Sequence, residues 1–150
     1  MASQAATAQS GAGASGGVSR REFLYYIWGA SIALVALQGP LAPAVLAAVT
    51  RLPVWTMPYY HFDRGEVAGV QALVSRTGYT GEDGFEIMVA CPDAPALWEA
   101  LMAAGVEHGI APAGLGARDS LRLEASMPLY GQELDDDTSA LEAGLGFAVK

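Results

Sequence analysis

The chain is poor in residues that build metal centres and nucleic-acid-binding surfaces. It has one cysteine, Cys91, and two histidines among 150 residues. A single thiol excludes an intramolecular disulfide and any site within the chain that needs two thiolates. Basic residues are also few, because eight Lys and Arg stand against sixteen Asp and Glu, for a formal net charge of −8. A surface of that sign repels phosphate backbones, so we expect no nucleic-acid partner.

Charge is absent from a long stretch near the N-terminus. The paired arginines Arg20 and Arg21 are followed by Glu22, and the next charged residue is Arg51. As a helix, the uncharged run between them is long enough to cross a hydrocarbon layer of ~30 Å. Gly39-Pro40 interrupts it, because proline removes a backbone donor.

This pattern favours a targeting or anchoring segment over residues 19–50, after a disordered segment over residues 1–18 that is rich in Ala, Ser and Gly. One interpretation is a cleaved twin-arginine export signal, and another is an uncleaved helix that contacts the membrane through residues 23–49. A buried helix of a soluble core is the third. The first two predict a protein that is exported or anchored in the membrane.

Residues 19–30, with the sequence SRREFLYYIWGA, resemble the N-terminal anchor of bacterial Rieske iron–sulfur proteins. A Rieske cluster is held by two cysteines and two histidines. Cys91, His61 and His108 are too few and lie in no Cys-x-His pair, so we expect no iron–sulfur cluster. The resemblance implies a membrane tether, and a Rieske-type anchored redox subunit that lacks its cluster is one alternative for the function.

Residues 51–150 have the pattern of an α+β domain with antiparallel strands and flanking helices. Strands are predicted at 57–62 and 67–76, with a turn at 63–66, and a third strand at 85–89 shows apolar alternation. A helix is predicted to begin at Asp93 and end at Gly105, and a second helix spans 115–124.

Residues 75–86, SRTGYTGEDGFE, form the most informative segment. Their three glycines are typical of a loop that needs positive φ or close approach of another group. The segment lacks both the alternating Asp/Asn positions of an EF-hand and the Gly-Lys-Ser/Thr of a phosphate loop. By the residues alone, an acidic solvated hairpin turn and a ligand-binding loop both remain open.

Residues 114–125, GLGARDSLRLEA, form a second informative segment. On a helix Arg118 and Arg122 are i, i+4 neighbours, and Asp119 lies three residues before Arg122. These charges favour a surface ion-pair lattice worth about 0–1 kcal/mol. The alternative is that one arginine presents its planar guanidinium to a carboxylate ligand.

Together with PLYG-x-EL and LEAGLGFAVK, these motifs resemble the glycine cleavage system T-protein family, the aminomethyltransferases, from about Tyr59 to Lys150. The resemblance implies a partial folate-binding domain, tetrahydrofolate as cofactor and the lipoylated H-protein as partner. The family moves a methylene from the aminomethyl-lipoyl arm to tetrahydrofolate and releases ammonia. Glu86 and Arg118 match the family's folate-contacting glutamate and arginine, and Tyr79 is a further candidate for lining the folate pocket.

The family's catalytic aspartate lies upstream of this region, and no equivalent is identified in the chain, so the catalytic residue is unknown. We therefore expect an incomplete site that is inactive alone. The family is cytoplasmic or mitochondrial, whereas the N-terminal segment predicts export or anchoring. This conflict favours a chimera that joins a leader to an aminomethyltransferase fragment near residues 48–57. A membrane-tethered folate-binding module without catalysis is the alternative.

Overall fold

The computed structural model describes residues 32–149, and predictions for residues 1–31 lie outside this range. The described strands and helices are, in chain order, β1 (Ile32–Gln38), α1 (Ala42–Ala47), β2 (Phe62–Val67), β3 (Val70–Ser75), β4 (Gly84–Ala90), α2 (Ala94–Ala104) and α3 (Leu115–Glu124). Short 3₁₀ helices follow β4 at Cys91–Asp93, follow α2 at Val106–His108 and end the described chain at Gly146–Ala148.

The four strands form one antiparallel sheet in the order β1-β4-β3-β2. β2 and β3 are joined by the two residues Ala68 and Gly69, whose φ angles are 52° and 82°. Positive φ at both central residues is the geometry of a tight hairpin turn whose twist matches the strands. β4, the last of the four strands in the chain, is a central strand. It pairs with β1 on one side and with β3 on the other.

One face of the sheet carries the hydrophobic core. Phe85, Ile87 and Val89 alternate along β4 and are 0–3 % exposed, as the two-residue period of a strand requires. Leu46 from α1 and Leu97 from α2 belong to the same buried cluster and are both fully buried. The two helices thus cover this face.

The opposite face of the sheet is open in the described part of the chain. Ile32 and Leu34 in β1 are 70 % and 51 % exposed, and Phe62 in β2 is 65 % exposed. The cross-strand register places Glu86 beside Ala36 and Ser75, outside the buried set of β4. Glu86 therefore lies on this open face.

The predicted antiparallel strands with flanking helices are confirmed, but the single hydrophobic helix predicted over 23–49 is wrong where the structure describes it. Residues 32–38 form strand β1, and α1 spans only six residues within the core. The period of two was hidden because β1 is apolar on both faces, and Gln38-Gly39-Pro40 marks its end. Within residues 32–149, no helix has the length and apolarity needed to cross a bilayer.

Some of the other predictions from the sequence are confirmed, and others are wrong. β4, α2 and α3 lie where the patterns placed them, although Asp93 precedes α2 without a side-chain cap bond. The predicted turn at 63–66 is wrong, because these residues lie inside β2. β2 is an edge strand, and its polar exposed residues resemble those of a turn. Gly65 serves packing, since a Cβ there would lie 2.6 Å from Leu52 Cδ2.

Candidate functional site

The loop of residues 76–83 joins β3 to β4 and is built around the side chain of Gln38. The Gln38 amide nitrogen donates to the carbonyls of Thr77 (3.1 Å) and Phe85 (3.3 Å), and its amide oxygen accepts from the Thr80 hydroxyl at 3.2 Å. The last residue of β1 therefore fixes the loop from inside.

The glycines of this loop make that arrangement sterically possible. A Cβ at Gly78 would collide with the Gln38 amide, and one at Gly84 would lie 2.6 Å from Gln38 Cδ. Gly81 has φ +77°, and a Cβ there would collide with Cβ of Ala125. The sequence predicted two reasons for glycine in this segment. Close approach of another side chain applies at Gly78 and Gly84, and positive φ applies at Gly81.

An ion pair closes the base of the loop. Arg76 donates from Nε to Asp83 Oδ1 at 2.9 Å and from Nη2 to Asp83 Oδ2 at 2.6 Å. Its Nη1 donates to the Met57 carbonyl at 2.8 Å, and its guanidinium carbon lies 5.6 Å from the centroid of the Phe85 ring. Hydrogen bonds from Arg76 hold the pKa of Asp83 below its ordinary value. The bidentate pair joins the two ends of the loop. The hydrogen bond to Met57 attaches this pair to the segment before β2.

Glu86 is the second residue after Gly84 and is half-buried on the open face. The Thr77 hydroxyl donates to Glu86 Oε2 at 2.5 Å, and Thr77 Oγ1 lies 3.0 Å from the Ser75 hydroxyl. Among residues 32–149, no hydrogen bond is made to Glu86 Oε1. The carboxylate is thus held by one oxygen and can accept donors from a ligand with the other.

Tyr59 lies in the segment before β2, is 44 % exposed, and packs edge-on against the Tyr60 ring. Burial is the largest cause that raises the pKa of Tyr59, followed by Tyr60 and then by the charges of Asp83 and Glu86. The 57–62 segment was predicted as a strand because it is rich in aromatics, but β2 begins only at Phe62. Pro58 just before two tyrosines was the available signal for an irregular segment.

Arg118 lies on α3, one turn after the N-cap residue Gly114, and is exposed. Its guanidinium carbon is 5.5 Å from the centroid of the Tyr79 ring, within cation–π range. The Tyr79 hydroxyl donates to the Pro128 carbonyl beyond α3. Tyr79 therefore connects the glycine loop to α3 and to the segment that follows α3.

Arg122 is not part of a surface lattice, which corrects the interpretation favoured by the sequence. It is 1 % exposed, and it is the one buried residue of α3. The expected pair with Asp119 is present at 2.6 Å, but the pair with Glu133 and the donation to the Met127 carbonyl at 3.3 Å were not predicted. Glu133 is eleven residues away, so helix spacing gives no sign of it.

Each of the three residues predicted for the site either belongs to the loop of residues 76–83 or contacts a side chain of that loop. Thr77 and Tyr79 are two residues apart, and the first binds the Glu86 carboxylate while the second lies under the Arg118 guanidinium. The structure thus provides a hydrogen-bond acceptor and a cation at one glycine loop, next to an open apolar face. Such a surface suits a flat polar ring with N–H donors and a separate anionic part.

The fold defines a class of protein, an antiparallel α+β domain whose helices cover one face of the sheet and whose other face is open beside a glycine loop. The chain belongs to the GCVT N-terminal domain family, which it matches over residues 24–150. It is 61 % identical over 120 residues to the aminomethyltransferase of Anoxybacillus flavithermus and 57 % identical over 119 residues to that of Halalkalibacterium halodurans. Each match covers 79 % of this chain and 33 % of the relative.

A solved structure agrees with these relatives. The crystal structure of glycine cleavage system aminomethyltransferase T from Bartonella henselae superposes with a TM-score of 0.66 and 40 % identity, over 79 % of this chain and 31 % of that one. The chain spans about a third of the length of the relatives it matches.

The family match begins at residue 24, not near Tyr59. The apolar run assigned to a leader therefore belongs to the family domain over most of its length. A junction near residues 48–57 is wrong, because β1 and α1, which precede it, supply part of the core.

Proposed function

We propose that this chain forms part of the folate site of a glycine cleavage system aminomethyltransferase. The whole enzyme would move the methylene of the aminomethyl-lipoyl H-protein to tetrahydrofolate and release ammonia. The observation that carries the proposal is the attachment of Glu86 and Arg118 to one glycine loop, in a chain of this family.

The chemistry of Glu86 fits one end of a folate. The pteridine ring has adjacent N–H donors on one edge, and the Glu86 carboxylate can accept such a pair through Oε1 and through the second lone pair of Oε2, beside the Thr77 bond. Thr77 already fixes the orientation of the carboxylate, so little side-chain entropy is lost when a ligand binds. Because Glu86 is half-buried, the protein shields one side of the contact between its carboxylate and the ring from water.

The chemistry of Arg118 fits another part of the same molecule. Its guanidinium is exposed and stacked on Tyr79, so it is oriented and still accessible. A planar cation pairs with a carboxylate or a polar carbonyl, both of which folate carries on its tail. We propose Tyr79 as a residue that lines the pocket and holds Arg118 in place.

The roles of the protein groups are binding and orientation. Tetrahydrofolate, when bound, supplies the secondary amine N5 that accepts the methylene. Glu86 holds the ring edge, Arg118 holds the tail, and the apolar side chains of Leu34 and Phe62 on the open face exclude water from the ring. No described residue is assigned as the catalytic acid or base, and we propose that a group outside this region supplies that function.

The test is an NMR titration of the labelled chain with tetrahydrofolate, which detects binding even in the millimolar range. We expect concentration-dependent shifts at Glu86, Arg118 and Tyr79. Glu86→Gln keeps the shape but loses the charge, and we expect at least a tenfold weaker affinity, which corresponds to about 1.4 kcal/mol.

The matched controls are Glu82→Gln, an exposed carboxylate in the same loop, and Arg51→Gln, an exposed arginine after α1. Both should bind tetrahydrofolate like the unmodified chain. Equal affinity in Glu86→Gln and Glu82→Gln, or shifts confined to another face, would refute the proposal.

A further inference from the structure

We propose that Arg122 is a positioning residue that places both members of the Arg118–Tyr79 pair. The inference rests on the proposed function, because the pair is proposed to hold the folate tail. Arg122 itself is 1 % exposed and does not reach the open site. Its effect on the ligand is therefore indirect.

The burial of Arg122 is unusual for its helix. The large apolar residues of α3 are exposed: Leu115 by 82 %, Leu123 by 56 % and Leu121 by 40 %. Apolar packing therefore does little to hold α3 in place. The guanidinium of Arg122 is the buried group that binds α3 to the segment after it. Arg118 lies one turn earlier on the same helix, so the position of Arg122 sets the position of Arg118.

The guanidinium also organises the segment that follows α3. Its Nη1 donates to the Glu133 carboxylate and to the Met127 carbonyl, and Glu133 Oε2 in turn accepts the backbone N–H of Leu129 at 3.0 Å. Residues 127–133 thus wrap around one buried cation. The hydrogen bond from Arg122 is the largest cause that holds the pKa of Glu133 below its ordinary value.

This segment carries the group that orients Tyr79. Pro128 lies between Met127 and Leu129, and its carbonyl accepts the Tyr79 hydroxyl. Arg122 therefore acts on the pair from both sides, through the helix on Arg118 and through the 127–133 segment on Tyr79. Asp119, which accepts from Nε and Nη2 at 2.8 Å and 2.6 Å, fixes the guanidinium plane that makes both contacts.

The test is made first without ligand, by NMR on the full chain. The Tyr79 ring current shifts the side-chain N–H resonance of Arg118, and the methyl signals of Leu97 and Leu101 report the intact core. In Arg122→Gln we expect the ring-current shift of Arg118 to be lost while the two leucine signals remain. An unchanged Arg118 shift in a folded Arg122→Gln variant would overturn the inference.

A second variant keeps the test decisive if Arg122→Gln does not fold. Glu133→Gln leaves Arg122 paired with Asp119 and loosens only the 127–133 segment, so we expect the Arg118 shift to fall by about half or more. Tyr79→Phe should make Glu133→Gln nearly without further effect on Arg118, because the hydroxyl contact that transmits it is already gone, whereas Arg122→Gln still acts through α3. Additive effects of Glu133→Gln and Tyr79→Phe on the Arg118 resonance would contradict the route through the 127–133 segment.

Tetrahydrofolate is then added to the same variants. We expect Arg122→Gln or Glu133→Gln to weaken its binding severalfold, whereas Arg51→Gln leaves it unchanged. If the unmodified chain shows no folate-dependent shifts, the proposed function fails while the ligand-free comparison still decides the role of Arg122. Loss of the ring-current shift with undiminished folate affinity would refute the positioning role.

Discussion

Leu46 and Leu41 offer a direct test of whether residues 32–49 belong to the folded domain. Leu46 is 0 % exposed within the core cluster, whereas Leu41, five residues earlier, is 51 % exposed. A cleaved leader or a membrane anchor would place both leucines outside the domain, and neither would then contribute to its stability. The domain structure predicts that they differ.

The burial of the two side chains gives the expected magnitudes. Leu46→Ala removes fully buried methyl groups and leaves a cavity between α1 and β4, which costs about 2–5 kcal/mol of unfolding free energy. Leu41→Ala loses roughly half of a leucine transfer energy and leaves no cavity, or about 1 kcal/mol. The difference of at least ~1 kcal/mol is measurable by urea unfolding.

The assay follows the fluorescence of the three tryptophans, Trp28, Trp55 and Trp98, through urea unfolding of the unmodified chain and both variants. Equal slopes against urea confirm that the midpoint shift reports stability. If Leu46→Ala unfolds at the same midpoint as Leu41→Ala, the assignment of α1 to the core is refuted.

Two further predictions concern acid stability and export. Asp83 has a lowered pKa through Arg76, so its stabilisation is present above the ordinary carboxyl pKa and is lost as the pH falls through the folded-state value. Asp83→Asn should therefore flatten the loss of stability below about pH 4, and the exposed carboxylate substitution Asp63→Asn should not; parallel acid curves for all three proteins would contradict this. The twin-arginine signal over residues 19–50 stays a prediction: a reporter fused after Thr50 should be exported, and Arg20→Lys with Arg21→Lys should abolish that, whereas cytoplasmic retention of the unmodified fusion would refute it.

The sequence alone was sufficient to predict elements whose apolar residues recur regularly on one face. β4 alternates between buried and half-buried residues, so its period is plain in the sequence. α3 also lies where it was predicted, although its large apolar residues are exposed. Glu86 and Arg118 came from a resemblance of motifs, and the structure attaches both to the loop that the glycines indicated.

The failures have physical causes that spacing cannot show. β1 pairs with β4, some fifty residues away, and a strand apolar on both faces looks like a membrane helix. Gln38 was hidden in that run, although a lone amide before Gly-Pro is a signal of a strand end. The Arg122–Glu133 pair depends on how the chain turns after α3, which helix periodicity does not describe.

A crystal structure of the chain grown with excess tetrahydrofolate tests the central claim most directly. The account predicts one folate molecule on the open face of the sheet, with the Glu86 carboxylate on its pteridine edge and the Arg118 guanidinium on the same molecule. A folate bound where either side chain is out of contact, with both residues ordered as they are here, would contradict it.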